Sequence, residues 1–305
     1  MDVQMLITKL NNTSASEIDV RLYFTRKKQN GRYTSYSPGI STELQQNLKN
    51  IVIDGLDRVK DTEQREFSPI GFMDDTIETT TVSEINSYQE IMDSLDEEVV
   101  KRGKITPKEI GRFNFYCLKI YIKDYGELWT FRRVTKFNRL AHGVIGRLIN
   151  GDFEKLEPNL LGIDGNLDII IFNNEILILN HISLERIFSI YDQYTEKATE
   201  TLNIVEQAGR IKNFEQFRED CLSDKRVTRA LTKILNEEQR LNKCFENFEN
   251  VIKVVDIFGL EIEFEEGNKT LIYEDKSQLM DITRLIRDSF YETVITGTKG
   301  VDEGI

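Results

Sequence analysis

Histidine and cysteine are scarce in this chain, and that scarcity removes whole classes of chemistry. His142 and His181 are the only histidines, so a histidine-based metal cluster is not available. Cys117, Cys221 and Cys244 are odd in number, widely spaced and never in a CxxC pair. That spacing argues against a disulfide framework and against a zinc site, and no cofactor is expected. No apolar run approaches the length of a membrane span, and no cationic start with a signal-type core is present. The expected location is the cytoplasm, with any membrane association made through a partner. There is no GxxxxGK loop, no GxGxxG after a strand, no GxSxG and no HExxH.

What is present is an ordinary soluble composition, 39% hydrophobic and 30% charged over 305 residues. A chain of that length buries a sizeable core, as one large or two ordinary domains. The formal net charge is −12, but it is unevenly spread. Residues 54–98 carry 14 acidic and 3 basic side chains, whereas residues 101–147 carry 12 basic and 3 acidic ones. An acidic protein with one cationic segment still offers a local positive surface, and its acidic remainder orients a polyanion towards it.

Periodicity gives the elements. Residues 1–16 read as polar and mobile. Ile18, Val20, Leu22 and Phe24 alternate as a strand, RKKQNGRY turns, and Tyr33 to Tyr36 returns. Arg21, Arg26, Lys27, Lys28 and Arg32 surround that turn, where the plainer reading is a solvated hairpin tip. Ser41 or Thr42 caps a helix through Leu56, and a second amphipathic helix runs from Tyr88 to Val99. An organisational boundary is placed at about residue 104. The division is then 1–104, an acidic N-terminal α+β region; 105–296, a core domain; and 297–305, a disordered tail.

Phe113 to Ile122 and Leu128 to Val134 alternate around Asp124-Tyr125-Gly126 as a hairpin. Trp129, Phe131 and Arg133 share one face of its second strand. Interleaved basic and aromatic side chains on strands suit a nucleic-acid platform, guanidinium to phosphate and ring to base. On this stretch alone, a half-buried sheet with cationic edge residues is the favoured reading. Asn150-Gly151 marks a third hairpin. Leu167 to Phe172 and Ile176 to Leu179, joined by Asn173-Asn174, read as a hairpin buried in a sheet. A long helix follows to Ala208, with Ser183 as its N-cap. Residues 213–273 run helix, helix, helix, hairpin, the order of a winged helix. The net −7 across residues 245–281 opposes DNA binding by such a wing.

The order GDFEKLEP…GIDGNLDIIIFNNEILILN…LERIFSIY, at residues 151–191, resembles a bacterial family of unknown-function domains typified by the B component of the Kiwa anti-phage defence system. The resemblance covers roughly residues 110–295 and contains no catalytic signature. It implies a defence protein that engages phage nucleic acid beside a membrane-embedded partner.

The expected fold is therefore α+β, a mixed or antiparallel sheet of β-hairpins packed against long helices. The expected function is a non-enzymatic, low-specificity DNA-binding component of an anti-phage complex. Its phosphate contacts would come from Lys101, Arg102, Lys104, Arg132, Arg133, Lys136 and Arg139, with Trp129 available to stack. A homodimer or higher homo-oligomer is expected, and dimerisation through the helix from Ser183 to Ala208 is compatible with this reading. Two alternatives remain. One is a metal-dependent nuclease-like effector using Asp164, Asp168 and Glu175, although no Glu-x-Lys follows them and Asp favours turns. The other is a protein-interaction subunit that binds no nucleic acid.

Overall fold

Strand alternation sets the architecture. A computed structural model of the protein describes residues 1–69, 75–102, 105, 109, 111–135, 146–149, 152–155, 162–235, 244 and 246–302, with the backbone alone at 15, 146–149, 152–155 and 235. In β1 (Ile18–Lys27), Val20, Leu22 and Phe24 point to one face and Tyr23 and Thr25 to the other. β2 (Tyr33–Tyr36) returns beside it. After β3 (Glu63–Glu66) and β4 (Thr76–Thr81) come β5 (Phe115–Ile122) and β6 (Gly126–Arg133), the hairpin read from the sequence. β7 (Gly146–Ile149) and β8 (Asp152–Lys155) pair separately with each other, and the Asn150-Gly151 turn expected between them lies outside the described residues. β9 (Ile169–Phe172) and β10 (Glu175–Ile178) form the central hairpin, with Asn173 and Asn174 at φ +49° and +66°.

These strands, β7 and β8 apart, make one eight-stranded sheet in the order β2-β1-β5-β6-β9-β10-β4-β3. Every pairing is antiparallel except β3 with β4. The sheet and its helices are α+β, as the sequence indicates. The division expected at residue 104 separates no folded bodies, because β1 pairs with β5 along eight residues and β4 pairs with β10. By its contacts the chain divides instead into residues 1–67 with 74–190, and residues 191–305 with 68–73.

In the first unit, helices α1 (Val3–Asn12) and α2 (Thr42–Asp57) cover one face of the sheet. Leu6, Leu10, Val52 and Leu56 are fully buried against it, with Leu118, Ile120 and Ile170 beneath. Each such side chain contributes roughly 1.5–3 kcal/mol of transfer free energy. Gly55 lets α2 close on Leu167, whose Cδ1 lies 2.5 Å from where a Cβ would stand. The N-terminus is therefore a helix rather than a mobile polar end. Val3, Leu6, Ile7 and Leu10 form its buried stripe, and the Asp2 carboxylate accepts from the Met5 amide at 2.8 Å.

The other face carries Tyr23, Phe115, Cys117 and Phe131. It is covered by α3 (Tyr88–Leu95) and α4 (His181–Ile187). Phe188 stands edge-on to Phe131 at 5.4 Å, and Ser94 joins a buried hydroxyl chain with Ser35 and Thr25. The long helix expected from Ser183 is two helices. Asn180, not Ser183, caps α4, its side chain accepting from the Ser183 amide at 2.9 Å. Ser189, at φ +51°, separates α4 from α5 (Ile190–Ala208).

The second unit packs α6 (Phe214–Ser223), α7 (Lys225–Leu235), α8 (Phe248–Phe258) and α9 (Leu279–Ile286) around Leu202, Phe217, Leu231 and Ile282. A three-stranded sheet, β11 (Ile211–Lys212), β13 (Thr270–Ile272) and β12 (Glu263–Glu265) in that order, belongs to it. The tail expected to be disordered from 297 contains β15 (Lys299–Val301), paired with β14 (Phe290–Glu292) around a turn at Gly297. Among the described residues, no helix is long and apolar enough to cross a membrane.

Candidate nucleic-acid interface

β1 ends in Arg26 and Lys27, and the loop 28–32 then turns tightly. The Lys28 amide donates to the Arg32 carbonyl at 2.8 Å, and Gly31, at φ +83°, supplies the left-handed residue the turn needs. Asn114 ties this end of the sheet together. Its amide donates to the Thr25 carbonyl, its Oδ1 accepts from the Lys27 amide at 2.7 Å, and its carbonyl accepts from the Val134 amide. Arg112 stands two residues before it.

The result is an open cleft of about 740 Å³ lined by Arg26, Lys27, Lys28, Gln29, Asn30, Arg112 and Asn114. Four of these are cations and none is an acid. Lys27 Nζ reaches Ser189 Oγ and lies over the Tyr33 ring. Among the described residues, Lys28, Arg32 and Arg112 are paired with no carboxylate, and Arg26 Nε is buried without a hydrogen-bond partner. Four cations that converge on an opening with no carboxylate in its described lining give it a positive potential. Glu109 stays close to this end of the sheet, where it accepts from the Tyr36 hydroxyl at 2.7 Å. Burial first and this bond second raise the pKa of Tyr36. A second opening, about 350 Å³ between Arg21 and Arg102, is neutralised by Glu97, which pairs with both.

The residues expected to meet phosphate are scattered. Lys101 is exposed at an isolated bridge to Tyr36, its ammonium 5.4 Å from that ring's centroid. Arg102 is exposed and pairs with Glu97 at 3.5 Å. Lys104, Lys136 and Arg139 lie outside the described residues. Trp129 is not placed to stack on a base. It is 6% exposed, packed beside Tyr23 and Phe131 and under Lys119, with its indole N–H donating to Glu127 at 3.3 Å.

Arg132 is likewise committed inside the protein. Its Nε and Nη2 donate to Asp164 at 3.0 Å each, and its Nη1 donates to Asp168 at 2.5 Å. Burial opposes its charge, but the bonds and charges of the two carboxylates outweigh burial and raise its pKa. Burial, reinforced by the Asp164 charge, also raises the pKa of Tyr116, whose hydroxyl donates to Asp164 at 3.4 Å. Arg133 is half-buried. Its amide donates to Asp168 Oδ2 at 2.9 Å, and its Nη1 is buried with no hydrogen-bond partner among the described residues.

Asp164 and Asp168, two of the carboxylates considered for a metal, are thus held by one guanidinium. Glu175 sits at the other end of the central hairpin, 3.3 Å from the terminal ammonium of Met1. Among the described residues, no group of three or more His, Cys, Asp or Glu side chains is arranged to hold a metal ion. His181 lies 3.7 Å from Glu78 and against the Phe67 ring. In α7, Arg226 is exposed, while Arg229 and Lys233 are half-buried.

The cleft is not among the sites expected from the sequence. Its signal in the sequence is the cluster of five cations in residues 21–32, whose plainer reading is a solvated tip. Arg112, one of the twelve basic residues of 101–147, carries no such signal, because its position beside that tip is a product of β1–β5 pairing.

An α+β protein with a cationic cleft at one sheet end is the class these features define. The description "Kiwa protein KwaB-like" matches residues 110–296, more than half of the chain, and the chain belongs to that family. It is accordingly a component of a Kiwa anti-phage defence system. Comparison with curated proteins and with solved structures gives no match.

Proposed function

We propose that the protein is the DNA-binding, non-cleaving component of its Kiwa system, working with a membrane-embedded partner and as a homo-oligomer. The cleft of Arg26, Lys27, Lys28 and Arg112 is the observation that carries this reading. It is the kind of uncompensated cationic surface that phosphate contacts require, on a protein whose net charge of −12 would otherwise repel DNA. Such contacts carry no base information, so sequence preference is low. Recruitment to a membrane runs through the partner.

Fluorescence anisotropy with labelled duplex and single-stranded DNA, over a salt series from about 50 to 200 mM, tests the reading. Binding through several phosphates weakens by orders of magnitude across that range. Absence of binding at the low-salt end would sink it and favour the alternative of a subunit that contacts only proteins.

A further inference from the structure

The cations gather round one opening, an arrangement that does not follow the middle of a duplex. Duplex phosphates lie in a row, one per about 3.4 Å of axis on each strand, and a protein that follows them spreads its cations along a ridge or groove. Here cations from β1, from the loop 28–32 and from the segment before β5 converge on one space of about 740 Å³. That volume falls within the usual range for a small ligand, roughly 300–1,000 Å³.

The lining is rich in donors. Arg26, Lys27, Lys28 and Arg112 can only donate. Asn30 Oδ1 accepts from the Arg32 amide and Asn114 Oδ1 from the Lys27 amide, and each side chain keeps an NH2 group that can donate. Arg26 Nε is buried without a partner among the described residues. A ligand that satisfies this set brings several acceptor oxygens and more than one negative charge. Among the described residues no aromatic ring lines the cleft, so none of them offers a base a surface to stack on.

We infer that the cleft binds the terminal phosphomonoester of a nucleotide, a dianion with three free oxygens. A phosphodiester inside a strand offers one charge and two such oxygens. The group is available from a phosphorylated DNA strand end or from a free nucleotide. The strand end as source rests on the DNA-binding reading above, whereas the phosphomonoester chemistry rests on the cleft alone.

The test uses the full chain and one duplex sequence in three forms: 5′-phosphorylated ends, 5′-hydroxyl ends, and ends closed by hairpin loops. Deoxyadenosine 5′-monophosphate, inorganic phosphate and deoxyadenosine are titrated separately by calorimetry. Phosphorylated ends are expected to bind about tenfold tighter than the other two forms, since charge-assisted bonds to the extra oxygen and charge are gained. The advantage shrinks from pH 7.5 to 5.5, as a phosphomonoester with a second pKa near about 6 loses its second charge. Arg112→Glu abolishes the advantage while leaving the thermal unfolding curve in place, and Lys28→Glu serves as an independent second variant.

Equal affinity for all three duplexes overturns the inference and leaves DNA binding standing. Binding of the monophosphate but not the nucleoside, lost in Arg112→Glu, with no duplex bound, supports the inference with the free nucleotide as source and overturns DNA binding. If no phosphate compound binds, both fall.

Discussion

Arg132 Nη1 lies 2.5 Å from Asp168 Oδ1, and the Asp168 side chain is 1% exposed. The same carboxylate accepts from the Arg133 amide, while the Asp168 amide donates to the Phe131 carbonyl. Arg132 therefore fastens β6 to the start of β9 through a buried ion pair.

Removing one partner of such a pair leaves the other charged and unsolvated. Arg132→Met is expected to destabilise the first unit by about 3–5 kcal/mol, and Arg132→Glu by more. Urea unfolding followed by circular dichroism measures it. A variant whose midpoint matches the parent would show the bond to be dispensable. Loss of DNA binding in an Arg132→Glu variant accordingly reports unfolding and says nothing about an interface.

Exchange of Lys28 and Arg112 for Glu should do the opposite. Both side chains are exposed and make no ion pair among the described residues, so stability changes by less than about 0.5 kcal/mol. Affinity for DNA falls across all sequences alike, and the slope of log K against log salt becomes shallower by about two, one for each lost phosphate contact. An unchanged slope would place the contacts elsewhere.

Trp129 is the chain's one tryptophan and is buried, so its fluorescence reports packing of the first unit. Its emission should be blue-shifted in the native protein and unmoved by saturating DNA. Trp129→Ala should cost about 3–5 kcal/mol, as deletion of a large buried ring does. Quenching of the native emission by DNA would contradict the buried placement.

Burial raises the pKa of Tyr23 to about 12 from an ordinary value of 10. The folded state thus holds a proton that the unfolded state releases first. The stability linked to this proton is complete below pH 10 and is lost as pH rises to about 12, at roughly 1.4 kcal/mol per pH unit. Urea midpoints at pH 9 and pH 11 measure the fall, and Tyr23→Phe should flatten it. A Tyr23→Phe variant with the parent's alkaline slope would assign the effect to other tyrosines.

Local pattern carried much of this fold. Phe113 to Val134 alternates cleanly around its turn, and Asn173-Asn174 could be read as a left-handed pair because Asn tolerates positive φ. The N-terminal helix has its signal too, Val3, Leu6, Ile7 and Leu10 behind Asp2, but over ten residues that stripe is short among polar neighbours. Which strand neighbours which was not legible. β1 meets β5 across some ninety residues, and the alternation of a strand does not name its partner. The cleft was hidden for that reason, since Arg112 and Asn114 reach the 28–32 loop only through this pairing. Arg132 misled for a different reason. A basic residue in a strand looks the same in sequence whether it faces solvent or a buried carboxylate.

The order of the sheet also governs how the chain must be made. When a ribosome has released residues 1–104, β1 has only the four-residue β2 as a partner, and β4 has only the polar β3. Val20, Leu22, Phe24 and Ile77 then wait for strands still to be synthesised. The matched segment 110–296, expressed alone, has the complementary defect, because β5 and β10 become bare, apolar edges open to any passing strand. Neither piece carries the complete sheet, and fragments cut between them should aggregate rather than fold.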